Sequence, residues 1–162
     1  MNLAAEAPLW LALILALLLI VGAVEDAARL RISNVTCALT AAAALIAMGV
    51  VGLEPAVWQN FAVFAALMAV GFAMFAAGKL GGGDVKLFAA TGLWFDLSGA
   101  LTMMIYVLLA GGALALLILG LRFFRWSDSA RRRIQLLGPG AGIPYGVAIA
   151  SGSLIAAAVL RS

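Results

Sequence analysis

Apolar stretches long enough to cross a lipid bilayer recur along this chain, and they leave little sequence for anything else. Leu9–Val24 with fraying beyond it, Val35–Leu53, Ala56–Gly78 and Leu97–Leu121 come near the roughly 17–25 residues that a helix needs to span, and Ile143–Leu160 closes the chain. Lipid offers no partner for backbone N–H and C=O groups, so such segments have to be helices. Hydrophobic residues make up 66% of the sequence and charged ones 10%, against about 25% charged in an ordinary soluble domain. The expectation is an all-α, polytopic transmembrane helix bundle forming a single domain over residues 1–162.

One further apolar segment, Val85–Phe95, is short for a span, and the placement of charge decides how to read it. If it crosses, the groups Arg29/Arg31, Lys79/Lys86 and Arg122/Arg125/Arg131/Arg132/Arg133 all fall on one side, with only Arg161 opposite. If it does not, the loop with five arginines lands outside. The positive-inside rule therefore predicts six spans with a short fourth one, basic loops in the cytoplasm and both termini outside. Met1–Val24 lacks the basic start and cleavage site of a secretory signal and reads as a retained first span. Trp58 and Trp94 are expected at the outer interface and Trp126 at the inner one. Ala65, Ala66, Ala69, Gly71, Ala73 and Gly78 are expected to let the third span pack closely.

Cys37 is the single cysteine and there is no histidine, so an internal disulfide and the usual zinc and histidine-based catalytic sites are excluded. No metal and no cofactor is expected. The net charge of +3 comes from residues in short loops between apolar runs, where it sets orientation, and no nucleic-acid role follows from it. What remains for catalysis is carboxylate chemistry.

The chain has seven acids: Glu6, Glu25, Asp26, Glu54, Asp84, Asp96 and Asp128. In the six-span arrangement Glu6, Glu54 and Asp96 are solvated on the outer side, and Asp128 sits among the arginines of the large loop. Glu25, Asp26 and Asp84 are left at the inner boundary, where a charge is expensive and a function is the default expectation. The bland alternative is that each merely ends its helix at headgroup level. Asp84 follows Gly81, Gly82 and Gly83, which permit unusual backbone conformations and close approach of another segment. A Gly-x-Gly-Asp sequence alone is a weak pattern; at the start of a short apolar segment, with a second acid at the end of the first span, it is more specific.

These residues resemble the type IV prepilin (leader) peptidase family, the GxGD intramembrane aspartic proteases, in particular the short Tad/Flp-pilus members. Gly81-Gly82-Gly83-Asp84 matches the motif that carries the family's second catalytic aspartate, and Val85-Lys86-Leu87 continues the likeness. The first catalytic aspartate precedes an Ile-Pro-Asn element, matched here by Asp26 ahead of Ile32-Ser33-Asn34, with serine in place of proline. Gly142–Ala150 resembles the segment that opens the family's last span. The resemblance implies Asp26 and Asp84 as catalytic residues and Gly81, Gly83, Lys86, Asn34, Pro144, Tyr145 and Gly146 as motif or site-lining residues. Glu25 competes with Asp26, yet neighbouring helical positions point about 100° apart, and the family spacing favours Asp26.

The resemblance further implies a multi-pass protein of a bacterial or archaeal inner membrane, with its active site near the cytoplasmic face and a prepilin or pilin-like precursor as substrate. Two carboxylates suffice for peptide hydrolysis when one is ionised and activates water while the other is protonated and donates to the carbonyl oxygen. Two other readings stay open on the residues alone: a small transporter using the acids as a proton relay, and a noncatalytic pilus-assembly subunit whose glycines serve packing. Acid-dependent flux marks the first, and survival of both aspartate substitutions marks the second.

Overall fold

The computed structural model describes residues 1–123 and 142–162. Its helices are α1 (Leu3–Glu6), α2 (Leu9–Arg29), α3 (Asn34–Val51), a 3-10 turn (Pro55–Val57), α4 (Trp58–Ala76), α5 (Gly82–Gly92), α6 (Leu97–Phe123) and α7 (Tyr145–Arg161). The fold is an all-α membrane helix bundle. Four segments, Leu9–Arg29, Asn34–Val51, Pro55–Ala76 and Leu97–Leu121, are long and apolar enough to cross a bilayer. Helices α5, of 11 residues, and α7, of 17, are shorter. At 1.5 Å per residue α5 reaches only about 16 Å, half of a hydrocarbon core of about 30 Å. Where six spans were expected, four helices are thus long enough to cross, and α5 and α7 are shorter.

Burial explains how a short helix fits. α5 packs against α3, α4 and α7 in the interior, where Val85, Leu87, Ala89, Ala90, Thr91 and Gly92 are buried, and Trp94 and Phe95 beyond it are fully enclosed. The long helices turn large apolar side chains outward, as Leu13, Leu17, Phe72, Leu108 and Leu116 show. A surface of that kind suits lipid as solvent.

The long helices α2 and α4 each bury one narrow stripe. On α2 it is Leu11, Leu15, Leu19, Gly22 and Asp26, at spacings of three and four that keep one face inward. On α4 it is Asn60, Val63, Leu67 and Gly71. Of the small residues expected to pack that helix closely, Gly71 alone lies in the seam; Ala65, Ala66, Ala69, Ala73 and Gly78 are exposed. Helix phase, which composition does not reveal, makes the difference: a Cβ on Gly71 would stand 2.7 Å from Val85 Cγ1. Between α6 and α7, Gly152 lets the backbones close in, since a Cβ there would fall 2.4 Å from the Cα of Val107.

Hydrogen bonds lock the end of the bundle that carries both termini. The fully buried Asn60 donates to the carbonyls of Met1 at 3.0 Å and Leu93 at 2.9 Å, and the amide of Ala4 donates to the Trp94 carbonyl at 2.9 Å. Arg161 donates through Nε to the Ala4 carbonyl at 2.7 Å and through its guanidinium to the Ala7 carbonyl, which ties α7 to α1. Trp58 is exposed at this end as an interfacial aromatic should be, whereas Trp94 is a core residue whose Nε1 donates to the Thr40 carbonyl at 3.2 Å. Trp94 follows the interior helix α5, and so never reaches the lipid boundary. Trp126, with Asp128 and the arginines at 125 and 131–133, lies outside the described residues.

Candidate active site

At the opposite end, the last turn of α2, the α2–α3 loop and the start of α5 enclose a cavity of about 350 Å³. It is lined by Asp26, Leu30, Arg31, Ile32, Gly81, Gly82, Gly83 and Asp84. Both predicted aspartates are therefore in one cavity although 58 positions apart, and both are buried.

Asp26 is brought there by the inward stripe of α2. Its Oδ2 accepts a 2.6 Å hydrogen bond from the amide of Gly146, in the first turn of α7. Gly146 has to be glycine for want of space: a Cβ would stand 2.9 Å from that same Oδ2 and 2.7 Å from Ile32 Cδ1. Helix α2 then stops at Leu30, which adopts a left-handed conformation with φ 51°. A non-glycine residue there costs about 1–2 kcal/mol, and the turn sends Arg31 and Ile32 back over the cavity.

Asp84 occupies the third position of α5, and its Oδ2 accepts the amide of Gly81 at 3.2 Å, the back-bond of a helix-capping arrangement. The glycines of the motif act through proximity rather than unusual dihedrals. Gly81 has ordinary extended angles, φ −74° and ψ 146°, but a Cβ on it would meet Asp84 Oδ2 at 2.8 Å, and one on Gly83 would meet the Ile32 backbone at 3.1 Å. Of the two properties expected of the triple glycine, close approach is the one used. Asp84 Oδ1 is buried and has no hydrogen-bond partner among the described residues. An unpaired buried carboxyl oxygen is costly, and this one belongs to a residue that lines the cavity, where water can donate to it or, when it carries a proton, it can donate to a peptide carbonyl.

The remaining predicted residues divide. Gly81 and Gly83 line the cavity and Gly146 donates to Asp26. Pro144 is buried as the residue capping α7, and Tyr145 is its half-buried first residue; neither is among the cavity-lining residues. Lys86 Nζ donates to Asn34 Oδ1 at 2.8 Å, an exposed link between α5 and α3 outside the cavity. Leu30, Arg31 and Ile32 also line the cavity; the sequence pointed to Arg31 only as an orienting charge and to Ile32 only as part of the motif after Asp26, because nothing local says that a loop after α2 folds inward. Glu25 points elsewhere, toward Ser33 and Thr36. Among the described residues no group of His, Cys, Asp and Glu could hold a metal ion.

A membrane helix bundle with two buried carboxylates in a shared cavity has the chemical parts of an intramembrane aspartic hydrolase. The model of the type IV leader peptidase family matches residues 13–118, about two thirds of the chain, and the protein belongs to that family. The match covers α2 through most of α6, and with them Asp26 and Asp84; α7 with Gly146 lies beyond it. No curated protein and no solved structure gives a significant match. Family membership makes this chain a membrane-resident aspartic peptidase of prepilin-like precursors, rather than a transporter or a noncatalytic assembly subunit.

Proposed function

We propose that Asp26 and Asp84 are the catalytic pair of this peptidase and that the single 162-residue domain works as a six-pass protein, with the cavity opening at the cytoplasmic face. The single observation that carries the assignment is that the two carboxylates line one cavity. In the reaction the ionised carboxylate takes a proton from water as its oxygen adds to the scissile carbonyl carbon. The protonated partner donates to the carbonyl oxygen, and breakdown of the tetrahedral adduct passes a proton to the leaving amine. Neither histidine nor a metal has a part in these steps.

Six passes are supported by the anchoring at both ends. Helices α2 to α7 alternate in direction, with Asp26, Asp84 and Gly146 at one end and Met1, Asn60, Leu93 and Arg161 at the other. Arg29, Arg31, Lys79 and Lys86 belong to the first end, which the positive-inside rule assigns to the cytoplasm. A pilin-like precursor, with a basic leader in the cytoplasm and a hydrophobic helix in the bilayer, presents its leader junction at that level.

The test is leader removal read by intact mass, using the enzyme reconstituted in bilayers with a pilin-like precursor. Asp26→Asn and Asp84→Asn keep side-chain size but remove the proton-transfer group, and each is expected to lower cleavage by about 10⁴-fold or more, the order seen on losing one member of a catalytic unit. Wild-type cleavage by either correctly inserted variant would eliminate the pair.

A further inference from the structure

The α2–α3 loop that roofs the cavity is held by a hydrogen-bonded clamp outside it. Glu25 Oε2 accepts both the Ser33 amide and the Thr36 hydroxyl, each at 2.9 Å. Ser33 Oγ in turn accepts the Thr36 amide at 3.0 Å as the N-cap of α3, and its hydroxyl lies 2.9 Å from that of Thr36. One carboxylate oxygen thus joins the last turn of α2 to the first turn of α3.

That first turn is also where α3 grips α5. Cys37 Sγ lies 3.7 Å from the Gly83 carbonyl, and Asn34 takes the bond from Lys86. Ile32, the residue before Ser33, is wedged between the two halves of the site. Its backbone sits 3.1 Å from where a Gly83 Cβ would be, and its Cδ1 sits 2.7 Å from where a Gly146 Cβ would be. Ser33 and Ile32 are consecutive, so the clamp that fixes one sets the other.

We propose that Glu25 is a positioning residue for this peptidase, fixing Ile32 through Ser33 and Thr36 and so setting the separation of the Asp26 and Asp84 elements. The inference rests on the catalytic reading given above. A rigid residue at position 33 would reach the same end by another route: Ser33 has φ −71° and ψ 145°, a conformation proline adopts, but proline has no amide to give to Glu25. The clamp does the work of a rigid ring.

The prediction is read in the full-length protein in bilayers, by precursor cleavage and by hydrogen exchange of the 25–36 segment. Glu25→Gln keeps an oxygen acceptor and is expected to stay within about threefold of wild-type kcat. Glu25→Ala is expected to lose about 10–100-fold in kcat with little change in KM, since misplacing catalytic groups by about 1 Å costs on that order, and to lose protection at Ser33 and Thr36. Adding Ser33→Pro to Glu25→Ala is expected to recover at least tenfold of that loss, which a general folding defect would not allow. Three results would each overturn the proposal: wild-type kcat in Glu25→Ala, equal losses in the Ala and Gln variants, or no recovery with Ser33→Pro. If the wild type cleaves no precursor, the catalytic reading fails, while hydrogen exchange at Ser33 and Thr36 still decides whether the clamp exists.

Discussion

Adding one methyl group at position 146 tests the geometry of the site most directly. Gly→Ala inside a helix normally helps, by about 0.5–1 kcal/mol. Here the new Cβ would stand 2.9 Å from Asp26 Oδ2, 2.9 Å from Asp26 Cβ and 2.7 Å from Ile32 Cδ1. Ile32 Cδ1 is the free end of a flexible side chain and can swing away. The Asp26 carboxylate cannot withdraw by the necessary half ångström or more without stretching the 2.6 Å bond from the Gly146 amide. Losing a hydrogen bond to a charged group costs about 1.5–3 kcal/mol and overpacking about 1–3 kcal/mol, so the net sign reverses to destabilisation by roughly 2–5 kcal/mol. Displacement of the carboxylate proposed as catalytic should in addition lower kcat by about 10²-fold. Thermal unfolding and precursor cleavage, measured on the same bilayer preparation, give both quantities. Gly112→Ala is the control: nothing lies within 4 Å of a Cβ there, so stability should hold or rise and kcat should not change. A Gly146→Ala protein as stable and as active as the Gly112→Ala control would refute the reasoning.

Two further outcomes follow from the packing and the charges. Gly152→Ala would drive a Cβ to 2.4 Å from the Val107 Cα, against backbone that has no rotamer to escape into; we expect loss of folded protein on detergent extraction, detected as aggregation in size-exclusion chromatography, and a monodisperse variant of wild-type melting temperature would contradict it. Membrane-impermeant thiol labelling of single cysteines, in the Cys37→Ser background, should reach positions 54, 96 and 162 from outside and positions 29 and 82 only from the cytoplasmic side. Label reaching position 82 from outside would place α5 the wrong way round.

Hydropathy alone determined that this chain dissolves in lipid, because a solvent without hydrogen-bonding capacity admits only helices whose backbone is self-satisfied. Sequence also narrowed the candidates to Glu25, Asp26 and Asp84, since acids in so apolar a chain stand out and the glycines beside Asp84 carry a recognisable motif, while the choice of Asp26 over Glu25 came from the family resemblance. It did not reveal which side of each helix faces protein and which faces lipid. In a bilayer both faces are apolar, so the pattern of polar against apolar residues that marks the core of a soluble helix is missing. That is why Ala65 and Ala69 were expected in a seam that belongs to Val63 and Leu67, and why Trp94 was expected at the interface when it is enclosed. Tertiary structure alone decided that α5 can be short because it is buried, that Ile32 wedges between Gly83 and Gly146, and that Glu25 grips α3 rather than competing with Asp26. The first two depend on segments far apart in sequence packing within about 3 Å where glycines leave room, and the third on how the loop after α2 turns back, none of them set by any local run of residues.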